Sequence, residues 1–187
     1  MVESAYVAPV LSYGALDRAH LTKHLLELAR DVGVDKVTMR ALAAHAGTSA
    51  SSVYYHVKDK SELLDLLIET VVESIEVPSA GDWEQRLIAL YTNAWRVLSS
   101  VPGIAALLQQ RPHTEAARNM DHATRRILHE SGLAASDFAG SHAVLYVHLL
   151  GSVELAHRLS PDASLSDEME STFLHGLNVI ITGLKHI

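Results

Sequence analysis

Thr38-Met-Arg-Ala-Leu-Ala-Ala-His-Ala46-Gly-Thr-Ser-Ala50-Ser-Ser-Val-Tyr-Tyr-His-Val-Lys-Asp-Lys60 is the stretch that decides how this 187-residue chain is read. Thr38 can accept a free amide of a helix's first turn, and Leu42, Ala43 and Ala46 then recur at helical spacing. Gly47 suits a tight turn, because glycine enters positive φ without steric cost. Ser49 can cap a second helix. The pattern is that of a helix-turn-helix, in which the second helix needs a small, polar, exposed start to enter a major groove. Thr48, Ser49, Ala50, Ser51 and Ser52 form that start, and their hydroxyls can bond phosphates or base edges. Any helix pair joined through glycine reads the same way, so a plain helical hairpin stays open on this pattern alone.

The helical period continues on both sides. Leu21, Leu25, Leu28 and Val32 form one stripe between a capping Asp17 and a closing Gly33. Asp59, with Glu62 three residues on, suggests a capping box. The helix that follows carries Leu63, Leu66, Leu67, Thr70 and Val71 and is stopped by Pro78. Pro78-Ser-Ala-Gly81 is the clearest break. Beyond it, Asp82 opens a helix bearing Leu87, Leu90, Tyr91, Ala94 and Leu98, broken at Pro102-Gly103. A short helix covers Ile104 to Gln110. Another runs from about Thr114 to Ser131 and closes at Gly132. Ser136 begins a longer one that reaches Leu159 and stops at Ser160-Pro161. The last starts near Ser166. No segment alternates like a strand. The expectation is an all-α chain of about nine helices: a loose arm over 1–16, a three-helix helix-turn-helix domain over 17–64, and a helical body over 65–187.

Composition narrows the function. Hydrophobic residues make up 48% and charged residues 20%, which excludes a disordered chain. There is no cysteine, so disulfide scaffolds, thiol catalysis and Cys-zinc sites are out. The first Lys or Arg is Arg18 and no apolar run approaches a membrane span, so a cytoplasmic location is expected. The net charge of −7 argues against a nucleic-acid partner, but its distribution matters more. Between Lys36 and Lys60, Lys36, Arg40, Lys58 and Lys60 face a single acid, Asp59. Residues 82–187 hold no HExxH, GxSxG, P-loop or GxGxxG motif, so no enzyme activity and no cofactor is expected. No metal is expected either: His122 and His129 are two turns apart, and the i,i+4 pair His20 and His24 lacks a matching third ligand.

Val53-Tyr-Tyr-His-Val-Lys-Asp-Lys60 resembles the end of the recognition helix of the TetR family of bacterial repressors, with Val53, Tyr54, His56, Val57 and Lys60 in the patterned places. The His-Val-Lys-x-Lys ending is similar to the tetracycline repressor subgroup. Leu16-Asp17, Gly33 and Thr38-x-Arg40-x-Leu42-Ala43 extend the likeness, and Arg111-Pro112 and Phe173-Leu-His-Gly-Leu177 carry it loosely toward the end. The resemblance implies phosphate contacts at Thr38, Tyr54, His56 and Lys60, and guanine reading by Arg40. It places Ala50, Ser51 and Ser52 at the base-reading start, and Tyr55 where the subgroup has Trp. Ala50 cannot offer adenine a bidentate amide, so the operator should differ from the tetracycline operator.

For the body, the resemblance implies a ligand cavity and a dimer interface. Tyr91, Trp95, His122, Tyr146 and His148 are the bulky or polar candidates to face the ligand, with Leu107 and Arg111. Leu107 stands where the subgroup has a magnesium-binding histidine, and Glu76 where it has a drug-contacting one. The expected effector is therefore largely apolar and not magnesium-tetracycline. Val147, Gly151, Phe173, Leu177, Ile180 and Ile181 are the expected dimer contacts, two such helix pairs forming a four-helix bundle. The reading is a ligand-responsive repressor that binds a palindromic double-stranded DNA operator as a homodimer. Two alternatives stay open: a helical small-molecule-binding or enzymatic protein with a structural N-terminal hairpin, and a DNA-binding protein controlled by a protein partner.

Overall fold

The computed structural model describes residues 17–112, 114–159 and 167–186, and all structural statements concern these. The expected arm over 1–16, the Ser160-Pro161 stop and the Ser166 start fall outside them. Nine α-helices and no strand are present among the described residues. They are α1 (Arg18–Val32), α2 (Met39–His45), α3 (Ala50–His56), α4 (Lys60–Glu73), α5 (Trp83–Ser99), α6 (Ile104–Gln110), α7 (Glu115–His129), α8 (Phe138–Leu159) and α9 (Asp167–Leu184). A single 3₁₀ turn, Val34–Lys36, bridges α1 and α2.

Each of the first four helices starts where a side-chain oxygen is available. Asp17, Thr38, Ser49 and Asp59 accept from the amides of His20, Ala41, Ser52 and Glu62. Such caps are worth ~1 kcal/mol each and set where a short helix begins. The reciprocal half of the expected box at Asp59 is displaced by one residue: Glu62 Oε2 accepts from Lys58 N at 2.6 Å. The complete box lies at α5, where Asp82 and Gln85 satisfy each other's backbone amides. Helix α4 ends at Glu73, short of Pro78, and Ser74 Oγ donates to the Val71 carbonyl at the end of the helix.

Leu21, Leu25, Leu42, Val53, Leu63 and Leu67 are fully buried and join α1 to α4 into one apolar core. That core runs on into the body without interruption, through Leu87, Leu90, Ile104 and Ile127. Helix α4 is continuous across residues 64 and 65, so its first turn belongs to the helix-turn-helix unit and its last turns to the body. Two polar attachments reinforce the join. Val34 N donates to the Pro102 carbonyl at 2.9 Å and Arg30 Nε to Ser100 Oγ at 3.3 Å, tying the end of α1 to the α5–α6 turn. Arg111, just after α6, donates through Nη1 to the Ser61 carbonyl, to Ser61 Oγ and, at 2.7 Å, to Asp65 Oδ1.

Candidate nucleic-acid interface and ligand cavity

The N-terminal unit carries its polar candidates outward. Gly47 sits at φ 62°, in the left-handed region that the turn between α2 and α3 requires. Beyond that turn Val53 points into the core, and Tyr54 and Tyr55 on the same helix point out. Tyr55 is 88% exposed, an unusual cost for an aromatic ring with no partner surface. Its ring meets His56 edge to face at 5.4 Å. Thr38, Arg40, Ser49, Ser51 and Lys60 are exposed, and Thr48, Ala50, Ser52 and His56 are half-buried.

The start of α2, the end of α3 and the start of α4 converge on a shallow concavity of about 360 Å³, lined by Thr38, Arg40, Tyr54, Lys58, Asp59 and Lys60, with Met39. Residues up to 22 positions apart in sequence thus share one surface. Thr38 Oγ1 accepts from Ala41 N at 3.1 Å, which leaves its O–H free to donate to an anionic oxygen. Ser49 Oγ is more committed: it accepts from Ser52 N at 3.2 Å and lies 2.7 Å and 2.9 Å from the hydroxyls of Ser51 and Ser52. The three hydroxyls form a connected cluster at the start of α3.

The body encloses a cavity of about 310 Å³ between α4, α5, α6, α7 and α8. Val72 and Ile75, at and beyond the end of α4, form part of its wall together with Leu98, Leu108 and Leu149. The polar groups gather on α5, α7 and α8. His142 Nε2 lies 2.9 Å from Asp121 Oδ1, and Arg125 Nε donates to the other oxygen of Asp121 at 2.7 Å. Tyr91 Oη is 3.5 Å from Thr124 Oγ1, and Tyr146 faces the same space. Burial holds the His142 imidazole below its ordinary range, against the pull of Asp121, so the ring is neutral at pH 7 and its Nε2–H donates to Asp121. Burial pushes the Tyr91 phenol up to about 12 and raises that of Tyr146, so both remain O–H donors.

Of the seven residues expected to face a ligand, Tyr91 and Tyr146 line this cavity. The other five are used elsewhere. Trp95 is buried in the core, stacked on Phe173 at 5.5 Å. His148 of α8 stacks on the same Phe173, with centroids 5.0 Å apart, and donates from Nε2 to its carbonyl at 3.0 Å. Leu107 is buried in the core while its neighbour Leu108 lines the cavity, Arg111 is engaged with α4, and His122 is exposed on α7. Asp121, Thr124 and His142 escaped the sequence reading. The helical spacing of 121 and 124 was available as a signal, but only the packing shows that this face of α7 meets His142.

The expected dimer residues also divide. Phe173, Leu177 and Ile181 are buried within the protomer, where α9 packs on α5 and α8, and Ile180 is half-buried. Val147 and Gly151 lie on the outside of α8. They belong to a row in which Val144, Val147, Leu155 and Leu159 are each more than half exposed, as is Val179 of α9. No helix among the described residues is long and apolar enough to cross a membrane.

Comparison with known proteins agrees with this geometry. Residues 21–67, which span α1 to the middle of α4, match the family model of bacterial regulatory proteins of the tetR family. An HTH-type transcriptional regulator of Saccharopolyspora erythraea is 30% identical over 131 residues, 68% of this chain and 56% of that protein. The class D tetracycline repressor protein of Escherichia coli is 27% identical over 196 aligned positions, covering 91% of this chain and 89% of the repressor. Among solved structures, a TetR variant of Acinetobacter baumannii in complex with minocycline superposes with a TM-score of 0.74 at 25% identity, over 91% of this chain and 97% of that one. The exposed recognition helix, the cavity against α4 and these matches lead to one assignment: the chain belongs to the tetR family of helix-turn-helix transcriptional regulators.

Proposed function

We propose that this chain is a repressor that binds a palindromic operator as a homodimer and is released by a small, largely apolar effector bound in the α4–α8 cavity. One observation carries the reading: α4 has Lys60 on the DNA-facing concavity at its first turn and Val72 on the cavity wall at its last. Twelve residues at 1.5 Å each separate them by about 18 Å, the length of a rigid rod short enough to transmit a tilt. Pro112 lines the cavity as well, and its neighbour Arg111 grips Ser61 and Asp65 beside Lys60. A ligand that moves Pro112 or Val72 therefore moves the start of α4.

In this reading Thr38, Tyr54, His56 and Lys60 hold phosphates, Arg40 pairs with a guanine, and Thr48, Ser49, Ala50, Ser51, Ser52 and Tyr55 meet the groove. Residues 17–64 read DNA and 65–187 bind the effector and dimerise, with α4 shared between them. Val147 and Gly151, in the exposed row of α8, and Ile180 of α9 contact the second copy. The effector is an apolar body with one or two hydrogen-bonding groups for Tyr91, Thr124, His142 and Tyr146. Magnesium-tetracycline is disfavoured, since Leu107 and Glu76 stand where the subgroup has its magnesium-binding and drug-contacting histidines. The chain binds rather than transforms its ligand and works in the cytoplasm.

Selection from a random duplex library with purified protein at two salt concentrations tests this. A palindrome with half-sites about 34–36 Å apart is the expected product. Failure to enrich any sequence at either salt concentration would refute the reading.

A further inference from the structure

The histidine pair that sequence spacing puts forward, His20 and His24, is not the pair the fold brings together. His20 Nδ1 faces Asp17 at 3.0 Å. His24 instead meets His45, from the far end of α2, ring edge to ring face with centroids 5.4 Å apart. Glu27, one turn beyond His24 on α1, completes a cluster in which one ligand atom from each residue lies within 4.8 Å of the others. Its Oε2 stands 3.4 Å from His24 Nδ1. Two donors bound to one tetrahedral zinc ion at 2.0–2.1 Å are separated by about 3.3 Å, so this edge already has the spacing of a shared metal.

Nδ1 of His24 and Nδ1 of His45 are both buried, and neither has a hydrogen-bond partner. Buried polar nitrogens are ordinarily satisfied, and leaving two beside one carboxylate is costly. Asp31, at 3.9 Å from His45 Nε2, adds a second carboxylate at the rim. Leu21, Leu25 and Leu28 of α1 and Leu42 of α2 are buried in the shared core, which fixes the two helices that carry the donors.

We propose that His24, Glu27 and His45 form a site for a divalent transition-metal ion of the zinc class, clamping α1 to the end of α2. Two imidazoles and one carboxylate are a donor set for zinc, with a fourth position left to water. His45 is the last residue of α2, two positions before the Gly47 turn. The bound ion pins the point from which the recognition helix α3 departs.

Titration calorimetry and thermal unfolding of chelator-treated protein, with zinc chloride and then cobalt chloride as probes, test the site. One equivalent of zinc per chain is expected, with Tm rising roughly 5–10 °C at a hundredfold excess over Kd. Cobalt should give a visible ligand-field band that zinc abolishes. His45→Ala and the conservative, surface-tolerated Glu27→Gln should each weaken binding by more than about tenfold, and His20→Ala should leave it unchanged. Absence of saturable binding would overturn the site. So would binding indifferent to Glu27→Gln and His45→Ala, or binding lost on His20→Ala, either of which would place the ion on other histidines.

Discussion

At the scale of single residues, two of the basic side chains of the N-terminal unit, Arg40 and Lys60, are expected to have separable roles. Arg40 projects from the first turn of α2 with its guanidinium exposed, able to pair with both acceptors of a guanine. Arg40→Ala should cost ~1–3 kcal/mol on the selected operator and relax preference at one base pair of each half-site. Lys60 is a point charge at the head of α4. Lys60→Ala should weaken every sequence alike and reduce the slope of log affinity against log salt by about 1 per half-site, read from binding isotherms across a salt series. If the two variants behaved identically, the division of labour would be refuted. Within the cavity, His142 is a titration probe. Its conjugate acid is less stable than that of free histidine because of burial, and Asp121 opposes this. Its folded pKa lies below the unfolded value of about 6.5, so the stability it contributes is present above that pH and is lost as pH falls through the folded pKa. Asp121→Asn should lower the pKa further, as followed by the ring proton shifts in NMR; a rise would show that Asp121 does not stabilise the imidazolium.

At the scale of elements, α4 and its two neighbours decide how the body communicates with the helix-turn-helix. The Arg111–Asp65 contact is half-exposed, so its stability value is modest, but it is the polar link between the cavity rim and the head of α4. A double-mutant cycle of Arg111→Ala and Asp65→Ala should give a coupling of about 0.5–1.5 kcal/mol in urea unfolding. A coupling near zero would mean that the Asp65 carboxylate adds nothing to the hold of Arg111 on α4, leaving its bonds to Ser61. The α2–α3 turn tests backbone rather than contact. A Cβ at Gly47 would meet nothing within 4 Å, so Gly47→Ala incurs only the cost of a side chain at positive φ, ~1–2 kcal/mol. A loss well beyond that would indicate that the turn is also packed against a surface absent from the isolated chain.

At the scale of the whole molecule, α8 is apolar on two sides, and one protomer uses only one of them. Leu145, Leu149, Leu150 and Val153 enter the core, and Val144, Val147, Leu155 and Leu159 remain exposed. Isolated exposed aliphatics are ordinary, but a row along one helix is the mark of a covered face. Val147→Glu should convert the protein to a monomer in analytical ultracentrifugation at low micromolar concentration. Operator affinity should fall by two or more orders of magnitude, because the second half-site then has to be bound from bulk solution. A variant that stays dimeric would move the interface elsewhere.

The sequence by itself determined the elements and the helix-turn-helix. Caps and stops are local: an Asp, Thr or Ser oxygen satisfies an amide three residues on, and the helical period reports burial on the helix's own face. The outward set of Thr38, Arg40, Tyr54, Tyr55 and Lys60 was legible for the same reason, together with a family pattern concentrated in that unit. The tertiary structure decided what depends on the rotation of one helix against another. Trp95 and His148 look like ligand contacts in sequence, yet Phe173 claims them both. Phe173, Leu177 and Ile181 form a stripe suited to a partner, but the protomer's own core takes it. Asp121 and His142, separated by a turn between two helices, meet only after α7 and α8 pack. His24 finds His45 across α1 and α2 rather than His20 along α1. Periodicity gives each helix a face, but only the packing of the helices decides which faces meet.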